Sequence, residues 1–353
     1  MTFSNTKSRP VIISGPCSAE SREQVLATAH ELKKTGVVNF YRAGLWKPRT
    51  RPNNFEGVGE QGMTWLAEVK KEVGIPVMTE VADASHVESA LDNGLDAVWI
   101  GARTTVSPFA VQAIADALKG TDVPVLVKNP MHADLGLWLG AIERFSSSTK
   151  GEVAALHRGF SNLGQTKYRN VPMWELPIGL KAELPEISLF CDPSHISGKP
   201  ELIPYVSQKA MDLGMKGLMI ESHVNPTVAL SDSKQQVTPN QLKSIINGLH
   251  IREVVADESQ NLELQSLRMK MDFIDEQLIE LLKGRMDIAE SVGEYKREND
   301  LAVLQLERWR DIVKTRMNWS EELGIDREFI LKILEQVHKE SIRIQTDILN
   351  KEQ

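Results

Sequence analysis

The sequence predicts an α/β domain followed by an all-α domain: a (β/α)8 TIM-type barrel, then a bundle of long helices. Three observations predict it. Short apolar runs alternate with helical patterns over the first ~240 residues, the size and rhythm of an eight-unit barrel. All 16 prolines lie at or before Pro239, so the rest of the chain lacks the residue that stops helices. Beyond Leu262 the apolar residues follow a four–three alternation, the spacing of a helix–helix seam.

The apolar runs lie at 11–14, 39–43, 76–79, 97–100, 124–127, 154–156, 187–190 and 217–220, with helical patterns such as 21–34, 61–72, 85–92 and 108–118 between them. Continuous apolar strands separated by helices imply a parallel sheet buried on both faces. A closed barrel fits the count, and an open doubly wound sheet is the alternative. The polar, acidic stretch at 250–265 marks a linker, placed at 251–263 between a domain at 1–250 and one at 264–353.

Composition bounds the function. Among 353 residues, 41 Lys and Arg face 48 Asp and Glu, a net charge of −7. The acidic balance argues against nucleic-acid partners. No apolar stretch has membrane-span length, and the N-terminus lacks a signal-peptide core. Two cysteines, Cys17 and Cys191, are too few for a disulfide framework, so a cytoplasmic protein is expected.

In a parallel barrel the C-terminal strand ends form the face that carries the site. Lys47, Arg49, Arg103, Lys128 and Arg158 follow strand ends, and Arg42 inside the second strand is a sixth candidate. Any one of them alone reads as a solvated charge or a salt bridge. Six together in an acidic protein point to an anionic ligand, a phosphate or a carboxylate, which suit Arg best. A second constellation is Cys17, His195, Glu221 and Asp232. This mixed soft and hard donor set suits Mn²⁺, Fe²⁺, Co²⁺ or Zn²⁺. No CxxC or HExxH spacing supports it, and a buried structural thiol remains the other reading of Cys17.

In the last third, Leu267, Met271, Ile274, Leu278, Leu281, Ile288, Val292 and Tyr295 form a seam whose missing member is Arg285. Arg268 and Lys296 flank the same face. In the last helix Ile330, Leu334, Val337, Ile344 and Ile348 leave a gap at Ser341, with Gln345 one turn on. A shorter helix at 304–317 carries Arg308. Two readings stand: a coiled-coil dimer with polar register residues, or a pocket for a small dianion. Burying Arg285 unpaired is costly, so it needs an acceptor in either case.

Gly15-Pro16-Cys17-Ser18, Lys47-Pro48-Arg49-Thr50, Ile100-Gly101-Ala102-Arg103, Asp192-Pro193-Ser194-His195 and Leu230-Ser231-Asp232-Ser233 occur in one order. Together they resemble the type Iβ 3-deoxy-D-arabino-heptulosonate 7-phosphate (DAHP) synthases of the shikimate pathway, over about residues 9–250. The related 3-deoxy-D-manno-octulosonate 8-phosphate synthases carry Lys-Ala-Asn-Arg-Ser where this chain has Lys-Pro-Arg-Thr. The resemblance implies condensation of phosphoenolpyruvate with erythrose 4-phosphate. It makes Cys17, His195, Glu221 and Asp232 ligands of a divalent metal, Mn²⁺ first. Arg103, Lys128 and Arg158 then bind phosphoenolpyruvate beside Arg42 and Lys47. Arg49 and Thr50 take the aldose phosphate and Asp192 its hydroxyls, with Lys47 as proton donor. Arg51-Pro52-Asn53-Asn54-Phe55 and Glu221-Ser222-His223-Val224-Asn225-Pro226 depart locally from the family pattern without removing a ligand.

Arg268, Arg285, Lys296, Arg308, Ser341 and Gln345 match the spacing of the all-helical chorismate mutases, over about residues 262–350. That resemblance implies a three-helix domain forming an intertwined homodimer, in which Arg268 completes the partner's site. Lys296 and Gln345 then face the ether oxygen of chorismate on its way to prephenate, and the arginines face the carboxylates. Trp309 stands where that family commonly has Glu, and Gln305 where it has Asp in some members, both positions that contact the substrate hydroxyl, so an active but slower mutase is expected. The pairing of separated steps of one pathway predicts feedback inhibition of the barrel by prephenate or chorismate. Alternatively, the helical domain only senses ligand and dimerises.

Overall fold

The computed structural model describes residues 2–3, 10–47, 55–162, 166–251, 262–304 and 306–350. It divides into two compact units, Met1–Val254 and Val255–Gln353, close to the boundary expected from the polar stretch.

The first unit is a closed, all-parallel barrel of strands β1 (Val11–Gly15), β2 (Phe40–Arg42), β3 (Val77–Val81), β4 (Ala97–Ile100), β5 (Val125–Lys128), β6 (Val153–His157), β7 (Ser188–Cys191) and β8 (Gly217–Glu221). β8 pairs back onto β1, with Val11 opposite Gly217 and Gly15 opposite Glu221, so the open-sheet alternative falls. All eight expected strands form, with ends displaced by one or two residues, because apolar pattern does not show where a ladder begins.

Around the barrel lie α1 (Arg22–Thr35), α2 (Gln61–Glu68), α3 (Ala84–Asp92), α4 (Ala102–Thr105), α5 (Pro108–Ala117), α6 (Leu135–Ser148), α7 (Glu175–Glu183), α8 (Pro193–Ser197), α9 (Ile203–Asp212) and α10 (Pro239–Asn247). Side chains of Ser21, Asp83, Asp134 and Thr238 cap α1, α3, α6 and α10 by accepting from the third residue on, where backbone N–H groups have no helical partner. The 61–72 pattern is not one α-helix: past Glu68 it widens into a π-helical turn, Val69–Val73.

Strand periodicity of two sorts the barrel interior into layers. Val11, Ile13, Phe40, Met78, Ala97, Trp99, Leu126, Ala154, Leu156, Phe190 and Met219 form a closed apolar core. Phe3 belongs to it, its ring 5.3 Å from Phe40 and 5.5 Å from Phe190. One inward step further toward the C-terminal ends stand Arg42, Glu80, Lys128, Arg158, Asp192 and Glu221. The same alternation that packs the core thus sets a charged layer on top of it.

In the second unit, α11 (Leu262–Glu298), α12 (Leu306–Glu322) and α13 (Arg327–Leu349) form the expected three helices. The seam expected on α13 is the one it uses, with Ser341, Gln345 and Ile348 buried. On α11 the expected seam is not the face that packs on α13. Leu267, Met271, Ile274, Leu278, Leu281, Ile288, Val292 and Tyr295 stand 39–72% exposed. The face toward α13 lies one position over, with Ala289, Gly293 and Lys296 buried and Leu282 and Met286 half-buried. A Cβ on Gly293 would lie 2.9 Å from Ile348 and 3.2 Å from the Gln345 backbone, so glycine sets this close approach. Small residues and a lysine hid that stripe beneath the more apolar one beside it.

Candidate functional site

Gly15 ends β1 pressed against β2; a Cβ there would lie 2.0 Å from the carbonyl oxygen of Arg42. The close approach brings Cys17 to the barrel axis, where the Arg42 guanidinium donates to its carbonyl at 3.0 Å. Arg42 is buried, stacked over the Trp99 ring at 4.6 Å and paired with Glu221 at 3.5 Å. It forms the floor of the site.

Above that floor three of the four expected metal ligands, Cys17, Glu221 and Asp232, offer donor atoms within 4.8 Å of one another. Cys17 Sγ lies 3.4 Å from Asp232 Oδ2. His195 Nε2 lies 3.8 Å from Glu221 Oε1 and 3.9 Å from Asp232 Oδ2. Donors at 2.0–2.3 Å around one tetrahedral ion stand roughly 3.3–3.8 Å apart, so the spacing fits. Glu221 Oε1 is buried and makes no hydrogen bond among the described residues, while its Oε2 accepts from Gln235 at 2.7 Å. Burial and the Glu221 carboxylate push the Cys17 thiol up to about 12. Against burial, His195 and Arg169 hold Asp232 well below the usual carboxylate range, and His195 and Arg42 likewise lower Glu221. Two ionised carboxylates beside a thiol and an imidazole form a donor set that a divalent cation would satisfy.

The cations divide. Lys47 donates to Cys17 Sγ at 3.2 Å, at the edge of the donor set. Lys128 is buried against Asp192 at 2.9 Å, and the same carboxylate oxygen lies 2.8 Å from His195 Nδ1. Asp192 is therefore held by protein partners at the base of the site, an arrangement that orients the imidazole. Arg158 donates to Asn170 Oδ1 at 2.7 Å. Burial lowers its guanidinium to about 10, Asp192 opposing and Arg169 and Arg103 adding like charge. Arg103 follows β4 on α4 and is exposed. Arg49 and Thr50 lie outside the described residues.

Sequence reasoning missed a set of loop residues. Arg169 and Asn170, from the segment between β6 and α7, each bridge two parts of the site. Arg169 pairs with Asp232 at 3.1 Å and donates to Gln235 at 2.5 Å. Asn170 accepts from Arg158 and donates to the His195 carbonyl at 2.7 Å. Gln236 accepts from the Cys17 backbone at 3.0 Å, and Ser18 bonds Ser231 across the same seam. None sits at a strand end or in an apolar period, so sequence position carried no signal for them. The Trp46 ring, stacked 3.6 Å from His86, anchors the residue before Lys47.

In the helical unit Arg285 donates to Ser341 Oγ at 2.6 Å, and Lys296 to Gln345 Oε1 at 3.0 Å and the Val303 carbonyl at 2.6 Å. Burial lowers both cations below their ordinary values. Four of the expected residues thus meet along the α11–α13 contact. Arg308 is instead exposed and paired with Asp311 at 3.1 Å, and Arg268 stands exposed on α11. Gln305 lies outside the described residues. Trp309 stacks on His338, with ring centroids 4.2 Å apart.

Residues 3–253 match the DAHP synthetase I family, and residues 267–346 match chorismate mutase type II. The phospho-2-dehydro-3-deoxyheptonate aldolase of Thermotoga maritima is 31% identical over 235 residues, covering 67% of each chain. The 2-dehydro-3-deoxyphosphooctonate aldolase of Bordetella petrii is 27% identical over 297 residues, covering 76% of this chain and 95% of the relative. The crystal structure of the Thermotoga maritima DAHP synthase superposes with a TM-score of 0.60 at 28% identity, over 67% of both chains. A truncated form of 3-deoxy-D-arabino-heptulosonate 7-phosphate synthase from Thermotoga maritima gives 0.57 at 27% identity, over 67% of this chain and 84% of that one. With the barrel, the strand-end cations and the two matched segments in agreement, the chain belongs to the DAHP synthetase I family and carries a chorismate mutase type II domain behind its barrel.

Proposed function

We propose that the barrel condenses phosphoenolpyruvate with erythrose 4-phosphate and water to DAHP and phosphate, and that the bundle converts chorismate to prephenate. The observation that carries the first part is the Cys17, His195, Glu221 and Asp232 donor set beside Lys47, at the mouth of a cation-lined barrel. A divalent cation held by these four residues, Mn²⁺ by preference with Fe²⁺, Co²⁺ and Zn²⁺ as alternatives, supplies Lewis acidity toward the aldehyde oxygen. Arg158 and Arg103 hold the phosphate of phosphoenolpyruvate, with Arg42 and Lys128 beneath its carboxylate. Arg49 and Thr50 take the aldose phosphate. Positioning two mutually repelling anions is most of the work. As C3 of the enol attacks the aldehyde carbon, Lys47 delivers a proton to the new alkoxide; water then adds at the electron-deficient C2 and the C2–O bond to phosphate breaks, releasing phosphate. Asp192 is assigned to orienting His195 and Lys128 in place of the sugar-hydroxyl role, because its carboxylate is buried against them.

In the bundle no proton transfer is needed. Lys296 and Gln345 face the ether oxygen while Arg285, Arg308 and a partner's copy of Arg268 take the carboxylates, an electrostatically preorganised site. The exposed apolar strip on α11 supports a homodimer through the helical domain. Prephenate or chorismate bound there inhibits the barrel.

Metal-dependent loss of phosphoenolpyruvate with erythrose 4-phosphate tests the barrel. Chelation or Cys17→Ala should abolish it and leave mutase turnover unchanged; persistence after both would refute the metal assignment. Lys296→Ala tests the bundle: a wild type no faster than this variant would reduce the domain to a sensing and dimerising module. A second reading, in which the aldose is a five-carbon phosphate, rests on the likeness to 2-dehydro-3-deoxyphosphooctonate aldolase. Turnover with arabinose 5-phosphate exceeding that with erythrose 4-phosphate would establish it.

A further inference from the structure

His338 sits on the face of α13 that carries the mutase contacts, three residues before Ser341 and seven before Gln345, so all three project along one side of the helix. Its ring lies nearly parallel to Trp309 of α12, at 17° and 4.2 Å, which fixes the imidazole plane. Its Nε2 is buried and makes no hydrogen bond among the described residues. Burial, with Arg285 and Lys296 adding repulsion, lowers its affinity for a second proton. The ring is therefore held neutral, with one nitrogen able to accept and the other to donate. A buried orphan nitrogen beside two cations is costly unless a ligand completes it.

The ligand chemistry supplies the missing group. Chorismate brings two carboxylates, an ether oxygen and one ring hydroxyl. The carboxylates and the ether have cationic or amide partners, whereas among the described residues the hydroxyl has none, because Trp309 fills the expected carboxylate position with an indole that cannot accept a hydrogen bond; Gln305, the other residue expected there, lies outside the described residues. We propose that His338 is a substrate-contacting specificity residue of the helical domain, whose Nε2 pairs with the ring hydroxyl of chorismate while Trp309 holds the imidazole in place. This rests on the mutase reading of the bundle and adds a partner for the one polar group of the substrate left without one among the described residues. A neutral imidazole also avoids placing a third cation next to Arg285 and Lys296.

The test uses the full chain and two substrates, chorismate and its analogue lacking the ring hydroxyl. His338→Phe keeps an aromatic ring against Trp309 and removes the nitrogen; His338→Gln keeps a polar group and removes the ring. Wild type should prefer chorismate over the deoxy analogue by about tenfold or more in kcat/KM, the factor that one ordinary hydrogen bond supplies. In His338→Phe that preference should collapse toward unity because chorismate alone loses rate, and His338→Gln should restore part of it. An unchanged preference in His338→Phe, or an equal loss on both substrates in a folded variant, overturns the assignment and leaves the mutase reading standing. A wild type that turns over neither substrate overturns both.

Discussion

Asp232 holds a left-handed backbone, φ 46°, at the point where its carboxylate joins Cys17 and His195. Aspartate tolerates that region better than most residues, yet the conformation persists only where neighbours over-determine it. Here Arg169 grips the side chain while Ser18 and Gln236 fix the flanking segment. Arg169→Ala should weaken divalent-ion affinity about 10–100-fold, the usual effect of losing a partner that orients a ligand. Titration of metal binding by calorimetry checks it; unchanged affinity would make Arg169 a surface charge only. Lys296 gives a pH prediction. Burial lowers its folded pKa, so its charge is lost below the pH at which an ordinary lysine titrates. Mutase kcat/KM should therefore fall on the alkaline side, earlier than a free lysine would dictate, and Lys296→Gln should erase that limb. The unfolded chain binds this proton more tightly, so this group's contribution to stability rises with pH across the same window. Rate and stability then move in opposite directions, measurable by a pH–rate profile beside melting curves. At this scale the strand-end cations were legible because barrel periodicity assigns them a height and a face, while the proposed ligand set rests on the family resemblance. Arg169, Asn170 and His338 were not, since irregular loops and ring stacking leave no period in the chain.

Among elements, α11 carries two faces, of which one packs on α13. Two stripes run along its 37 residues. One is rich in Leu, Ile and Met; the other carries Ala289, Gly293 and Lys296. A heptad reading selects the first on hydrophobicity, whereas packing against α13 selects the second on size, because close helix approach needs small side chains. In the proposed homodimer the exposed stripe receives a second copy of the chain. Leu278→Asp should turn the dimer into a monomer by light scattering and lower mutase turnover at least tenfold, because Arg268 then has no partner site to complete. A dimer that survives this change would move the interface elsewhere. The barrel strands were read nearly residue for residue, since eight continuous apolar runs between helices admit few other folds.

For the whole molecule, the proline boundary at Pro239 proved to be an architectural one, separating a loop-rich barrel from a bundle built of three long helices. Net charge of −7 said little by itself; its distribution said more, with cations gathered at the C-terminal strand ends of the barrel and along the α11–α13 contact. If the bundle reports its ligand to the barrel, full-length protein should lose synthase rate in prephenate, and residues 1–254 alone should not. Equal inhibition of both would place the inhibitor site in the barrel.

The alternation inside the barrel also limits how this active site can be altered. Core residues and active-site residues are consecutive inward positions on the same strands: Phe40 then Arg42, Met78 then Glu80, Leu126 then Lys128, Phe190 then Asp192, Met219 then Glu221. A one-residue insertion in any of these strands would turn its charge toward the helices and an outward side chain toward the axis. Redesign of substrate preference therefore has to proceed by exchange at the topmost inward positions or by lengthening the loops above them. A combinatorial library confined to those positions would leave the apolar layer beneath it untouched.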